Sequence, residues 1–128
     1  MKKILLTLSF CLFSQLAFSA GDGGGSSASM SDPYNDAKQL VKRAGKLEKK
    51  DKIDRAKKLY AQAFKKLEKA NSKDQNNPDI LNYLGFTSRK IGNFEIAEKF
   101  YLQGLKIKPD HNGINEYLGE LYVQTNQI

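Results

Sequence analysis

A single histidine, a single cysteine and no tryptophan in 128 residues leave few side chains able to do chemistry. Nucleophilic or acid–base catalysis needs a positioned group of partners, and metal binding needs several ligands together. His111 stands beside Pro109 and Asp110 in a turn, with no second histidine or cysteine to complete a site. It reads as a solvated turn residue. Cys11 follows the bulky Phe10 inside an apolar run, which does not fit a lipid-anchoring motif, and it falls within residues 1–19, whose expected removal leaves no thiol chemistry. Gly23, Gly24 and Gly25 lack the strand, the lysine and the helix start of a phosphate loop. The carboxylates fall mostly on polar helix faces. The expectation is a protein that is not an enzyme and holds no cofactor and no metal.

Charge carries more information. Residues 37–70 hold 13 basic and 4 acidic side chains, a net of +9, whereas residues 71–128 hold 6 and 7. A basic segment of this kind either solvates a helical face or docks on an anionic membrane or polysaccharide. Nucleic acid would fit the charge too. The N-terminus argues against it, because Lys2 and Lys3 precede an apolar run over residues 4–12, and Ala17, Phe18 and Ser19 place small residues where a signal peptidase reads them. Residues 1–19 are therefore read as a signal peptide cleaved after Ser19. The run is short for a membrane span, which needs about 20 apolar residues.

Residues 20–31 are mostly Gly, Ser and Ala, too polar and small to offset the entropy of ordering, and are read as a flexible leader. From Asp32 onward Leu, Ala, Lys, Tyr and Phe dominate, so residues 32–128 should form one all-helical domain. Asp32-Pro33 and Asn77-Pro78 are helix openings, an N-cap followed by a proline whose missing N–H costs nothing there. Leu40, Val41, Ala44 and Leu47 make one apolar stripe, and Ile53, Ala56, Leu59, Tyr60, Ala63, Phe64 and Leu67 a second, giving a helical hairpin. Leu81, Leu84, Gly85 and Ser88 start a third helix that Gly92-Asn93 breaks. Phe94, Ala97, Tyr101, Gly104 and Leu105 form a fourth, stopped by Pro109.

The chain also matches itself. An offset of 34 aligns Tyr83, Leu84 and Gly85 with Tyr117, Leu118 and Gly119. An offset of 41 aligns Ala44 with Gly85, Ile53 with Phe94, Ala56 with Ala97, Tyr60 with Tyr101 and Ala63 with Gly104, the seven extra residues falling in a polar insertion over residues 71–77. Small residues at such positions let helices approach closely, and the tyrosines fill the space between them.

These residues resemble the tetratricopeptide repeat (TPR) family, whose repeat pairs a Leu-Gly on one helix with Ala, an aromatic and Pro on the next. Leu84, Gly85, Ala97, Tyr101 and Pro109 match outright; Leu118, Gly119 and Tyr122 match in part, as do Ala56 and Tyr60. The resemblance covers residues 37–128, as repeats over about 37–70, 78–111 and a partial 112–128. It implies an all-α, right-handed stack of antiparallel helical hairpins, a short solenoid, with Tyr101 and Leu84 buried and Lys57, Lys58 and Lys66 exposed. Small exported proteins of the Gram-negative periplasm carrying this repeat look like the nearest kin.

In that family partners lie along the first helices of successive hairpins. The corresponding face here carries Lys38, Val41 and Lys49, then Asn82, Phe86, Arg89 and Lys90, then Glu116 and Glu120. Phe86 lies outside the motif's packing positions among amide and cationic groups, and it serves either a partner or the core. Some family members clamp a peptide's carboxylates with a Lys and an Asn; Val41 and Gly45 occupy those places, so no clamp is expected. Two functions stay open: a non-catalytic scaffold of the cell envelope binding a peptide or protein, and a basic binder of anionic lipid or polysaccharide. Residues 112–124 read as the first helix of a third hairpin with no second helix after it. Leu118, Leu121 and Tyr122 should then lack cover, which implies either a fragment of a longer protein or self-association through that edge.

Overall fold

Asp32 and Pro33 open the first helix as their chemistry predicts. The Asp32 carboxylate accepts the Tyr34 N–H at 3.2 Å, and Pro33 occupies the first helical position. The computed structural model describes residues 31–127; residues 1–19, read as a signal peptide, and all but the last residue of the segment read as a leader lie outside the described residues. Five helices follow one another: α1 (Pro33–Glu48), α2 (Ile53–Lys73), α3 (Pro78–Ile91), α4 (Phe94–Ile107) and α5 (Asn112–Gln124). No strand occurs among the described residues, so the fold is all-α.

Local chemistry sets the remaining boundaries. Asn77 repeats the Asp32 device, its side-chain oxygen accepting the N–H groups of Asp79 and Ile80 at 3.0 and 3.3 Å. Gly92 ends α3 in the left-handed region, with φ of 94°, which glycine adopts without a Cβ penalty. The Asn93 N–H then reaches back to the Ser88 carbonyl at 2.9 Å. The polar insertion begins later than predicted: Asn71, Ser72 and Lys73 continue α2, which has neither glycine nor proline to stop it before Asp74.

His111 corrects the reading of a solvated turn. It is 9% exposed and caps α5, its Nδ1 accepting the Ile114 N–H at 3.1 Å while Nε2 lies 2.8 Å from an Asp79 carboxylate oxygen. An imidazole that accepts at Nδ1 carries its proton at Nε2, so it donates to Asp79 and pins the start of α5 to the start of α3.

The helices pack in chain order, α1 on α2, α2 on α3, α3 on α4 and α4 on α5, with α5 also touching α3. Ala37, Ala63, Leu67, Ile80, Leu81 and Leu84 form the central core. Residues aligned at the 41-residue offset are buried in both hairpins: Ala44 and Gly85, Ala56 and Ala97, Tyr60 and Tyr101, Ala63 and Gly104. This helix-on-helix packing is consistent with a helical repeat. Between the hairpin helices, the Lys66 ammonium sits 2.8 Å from the Asp36 carboxylate and, with Ser31, holds that carboxyl below its ordinary range. Lys66 is accordingly partly covered, whereas Lys57 and Lys58 are exposed as predicted.

The open edge predicted at the C-terminal helix is absent in this form. Leu118 and Leu121 are 8% and 2% exposed, packed with Ile114 against Ala97 and Tyr101, and α5 turns Glu116, Gly119, Glu120 and Val123 outward. The helix thus covers the core with Ile114, Leu118 and Leu121 and meets solvent with a mostly polar side on which Val123 is 62% exposed. Tyr122 is half-buried and its hydroxyl donates to Glu98 at 2.9 Å.

Two glycines of matching sequence context differ in surroundings. A Cβ on Gly85 would come 2.6 Å from Tyr101 Cδ1, against a ring that is fully buried and cannot move aside. A Cβ on Gly119 would meet nothing within 4 Å. Gly85→Ala should destabilise by about 1–3 kcal/mol through overpacking. Gly119→Ala should stabilise by about 0.5–1 kcal/mol, because alanine is the better helix former. Urea denaturation of the two variants checks the opposite signs.

Candidate functional site

The first helices of the hairpins, α1 and α3, and then α5, bring Val41, Asn82, Tyr83, Phe86 and Tyr117 around a recess of about 130 Å³. Their spacing on α3 explains the arrangement, since Phe86 stands four residues after Asn82 and three after Tyr83, one turn along from both. Phe86 is half-buried at the centre. Its ring lies 5.0 Å from that of Tyr117 and 5.9 Å from that of Tyr60, the latter edge-on. It therefore joins the core beneath and lines the recess above. Asn82 contributes a side-chain oxygen that is buried and has no hydrogen-bond partner among the described residues. Gly113, in the first turn of α5, leaves room for that amide, for a Cβ there would stand 2.9 Å from Asn82 Nδ2.

Two cations frame the rings. The Arg89 guanidinium lies 5.7 Å from the Phe86 ring centre and 5.9 Å from that of Tyr117. It is paired with Glu120 at 2.6 Å and its side chain is only 10% exposed. Lys90 Nζ lies 5.5 Å from the Phe86 ring centre and 5.8 Å from that of Tyr60, and bonds Glu48 at 3.0 Å. Glu48 also accepts the Tyr60 hydroxyl at 3.0 Å. Both cations are thus balanced by carboxylates, which leaves the recess an aromatic, amide-bearing surface without an uncompensated charge.

Of the residues predicted to face a partner, the structure gathers Val41, Asn82 and Phe86 in the recess and Arg89, Lys90 and Glu120 around its rings. Lys38 is exposed, its Nζ 5.1 Å from the Tyr34 ring centre. Lys49 is exposed at the end of α1, and Glu116 is exposed on α5; neither lines the recess. Sequence reasoning missed Tyr83 and Tyr117, although their alignment with each other at the 34-residue offset signalled equivalent places on successive helices. It also missed Glu48, whose partners lie 12 and 42 residues away.

Burial raises several tyrosine pKa values. The Tyr34 hydroxyl is pushed up to about 12, chiefly by burial and then by Asp79. Tyr60 is raised further by burial and by its bond to Glu48. Burial likewise raises Tyr101, which Arg89 only partly offsets. Tyr60 and Tyr101 are at most 1% exposed, so both keep their protons in the native state where the unfolded chain loses them. Their stabilising contribution is complete below about pH 10 and is lost as pH rises, by about 1.4 kcal/mol per pH unit for each. Urea midpoints at about pH 9 and pH 11 should show that fall, and, with Tyr34 adding a similar share, Tyr101→Phe should remove about a third of it.

Among the described residues no cluster of three or more His, Cys, Asp or Glu side chains gathers as a metal site would. No described helix is long and apolar enough to cross a membrane. Compared with protein-family models and with curated proteins, the chain matches none.

Proposed function

We propose that the chain is a non-catalytic protein-interaction module, a short right-handed TPR solenoid exported to the bacterial periplasm, which holds a peptide or protein segment against the recess of α1, α3 and α5. The observation that carries the reading is the unpartnered Asn82 oxygen beside Phe86 and Tyr117. A buried acceptor without a donor costs about 1–3 kcal/mol, which the Asn82 amide recovers by turning to meet an incoming N–H at the recess. An extended peptide offers such an N–H every second residue and places a side chain beside it. With Arg89 and Lys90 already neutralised, the side chain that fits between Val41, Phe86 and Tyr117 is apolar or aromatic. The TPR assignment rests on the motif residues and on the Gly85–Tyr101 approach that gives the motif its physical sense.

The test is retention of proteins from a cell-envelope extract by the wild type, Phe86→Ala and Asn82→Leu side by side. Asn82→Leu keeps the volume and removes the acceptor. Proteins held by the wild type should be lost from both variants, by about 30-fold or more in affinity if Phe86 is a binding hot spot. Equal retention by all three would overturn the reading.

A further inference from the structure

On another face of the first hairpin, Arg43 and Lys46 stand one turn apart on α1, Lys50 follows in the turn after it, and Arg55 and Lys58 share one side of α2. Together with Gln62 they surround a recess of about 470 Å³ floored by Leu47 and Leu59. No acidic side chain lines it, and no residue of α3, α4 or α5 does. All five cations are exposed, and none takes part in a salt bridge among the described residues. Lys66, Arg89 and Lys90, by contrast, are all paired.

A terminal helical hairpin needs a polar outer face, but mixed charges meet that need with less self-repulsion than five like ones. The arrangement has a second feature. Cations on one helix recur at about one turn, 5.4 Å, and the neighbouring helix axis runs about 8–10 Å away. The result is a two-row array and not a single stripe. A rod-like ligand, such as an acidic helix, meets one row; a planar array of anions meets both. The +9 on residues 37–70, against a slightly negative remainder, turns this face toward a negative plane first.

We propose that the outer face of α1 and α2 docks on an anionic phospholipid surface, with Arg43, Lys46, Lys50, Arg55 and Lys58 contacting headgroup phosphates and the valley over Leu47 and Leu59 admitting a headgroup between the rows. This site is separate from the recess around Phe86 and does not depend on it.

The test is co-sedimentation of residues 20–128, the chain left by cleavage after Ser19, with phosphatidylcholine vesicles, with and without about 30% phosphatidylglycerol. Two triple variants lose the same charge: Arg43→Gln/Lys46→Gln/Lys50→Gln on the proposed face, and Lys99→Gln/Lys106→Gln/Lys108→Gln on and after α4. Circular dichroism verifies that each is folded. At about fivefold per contacting cation, the first should bind anionic vesicles about a hundredfold more weakly and the second no more than about threefold. Arg55→Gln/Lys58→Gln should lose about 25-fold. Wild-type binding should vanish near 1 M salt, where the screening length is about 3 Å. Equal losses in the two triple variants would overturn the proposal, as would equal binding to vesicles without phosphatidylglycerol. So would tighter binding of polyglutamate or duplex DNA than of anionic vesicles.

Discussion

Tyr101→Ala is expected to lower the free energy of unfolding by about 3–5 kcal/mol, the cost of a large cavity in a core that cannot collapse around it. Tyr101 is fully buried, lies against Gly85, and packs with Ala97, Ile114, Leu118 and Leu121, so its loss removes the contact joining α3, α4 and α5. For a domain of this size the melting temperature should fall by roughly 10–40 °C. The ring does the work and the hydroxyl does not: the oxygen is buried with no hydrogen-bond partner, although Arg89 is near enough for its charge to be felt. Tyr101→Phe should therefore change stability by less than about 1 kcal/mol, since removing an unsatisfied polar group costs little. Calorimetry of both variants checks the pair. A loss below about 1 kcal/mol for the alanine variant would mean that the hairpins do not pack as described.

The second large effect concerns the last helix. Leu121→Asp should cost more than about 4 kcal/mol, because it places a carboxylate at a position 2% exposed among apolar side chains. Hydrogen exchange should show α5 losing protection first, followed by the face of α4 it covers. Had Leu121 stood on an open edge, as the sequence suggested, the same substitution would have separated two chains and left each one folded. Unchanged stability in Leu121→Asp would contradict the observed packing of α5.

The local devices were legible because they act within a few residues. Asp32-Pro33, Asn77-Pro78 and Gly92 mark helix boundaries by steric and capping rules, and four of the pairs aligned at the 41-residue offset are buried, whereas Ile53, aligned with Phe94, is exposed. What escaped depends on partners far apart in the chain. His111 caps α5 and bonds Asp79, 32 residues away, and no pattern around a lone histidine distinguishes that from a solvated turn. Phe86, Arg89 and Lys90 were found together through their helical spacing. Their neutralisation by Glu120 and Glu48, 31 and 42 residues distant, was not, and it turns a cationic groove into an aromatic one. The cover on Leu118 and Leu121 was missed for a related reason: it comes from Ala97 and Tyr101 on the preceding helix, distant in the chain, and not from a helix after α5.

The proposed groove is tested most directly by NMR on the isotopically labelled chain, titrated with the peptide that binds most tightly from a displayed random library. Chemical-shift changes concentrated at Val41, Asn82, Phe86 and Tyr117, and lost with Asn82→Leu, are the predicted result. Changes confined to the face of Arg43, Lys46 and Lys58, or unaffected by Asn82→Leu, would contradict it.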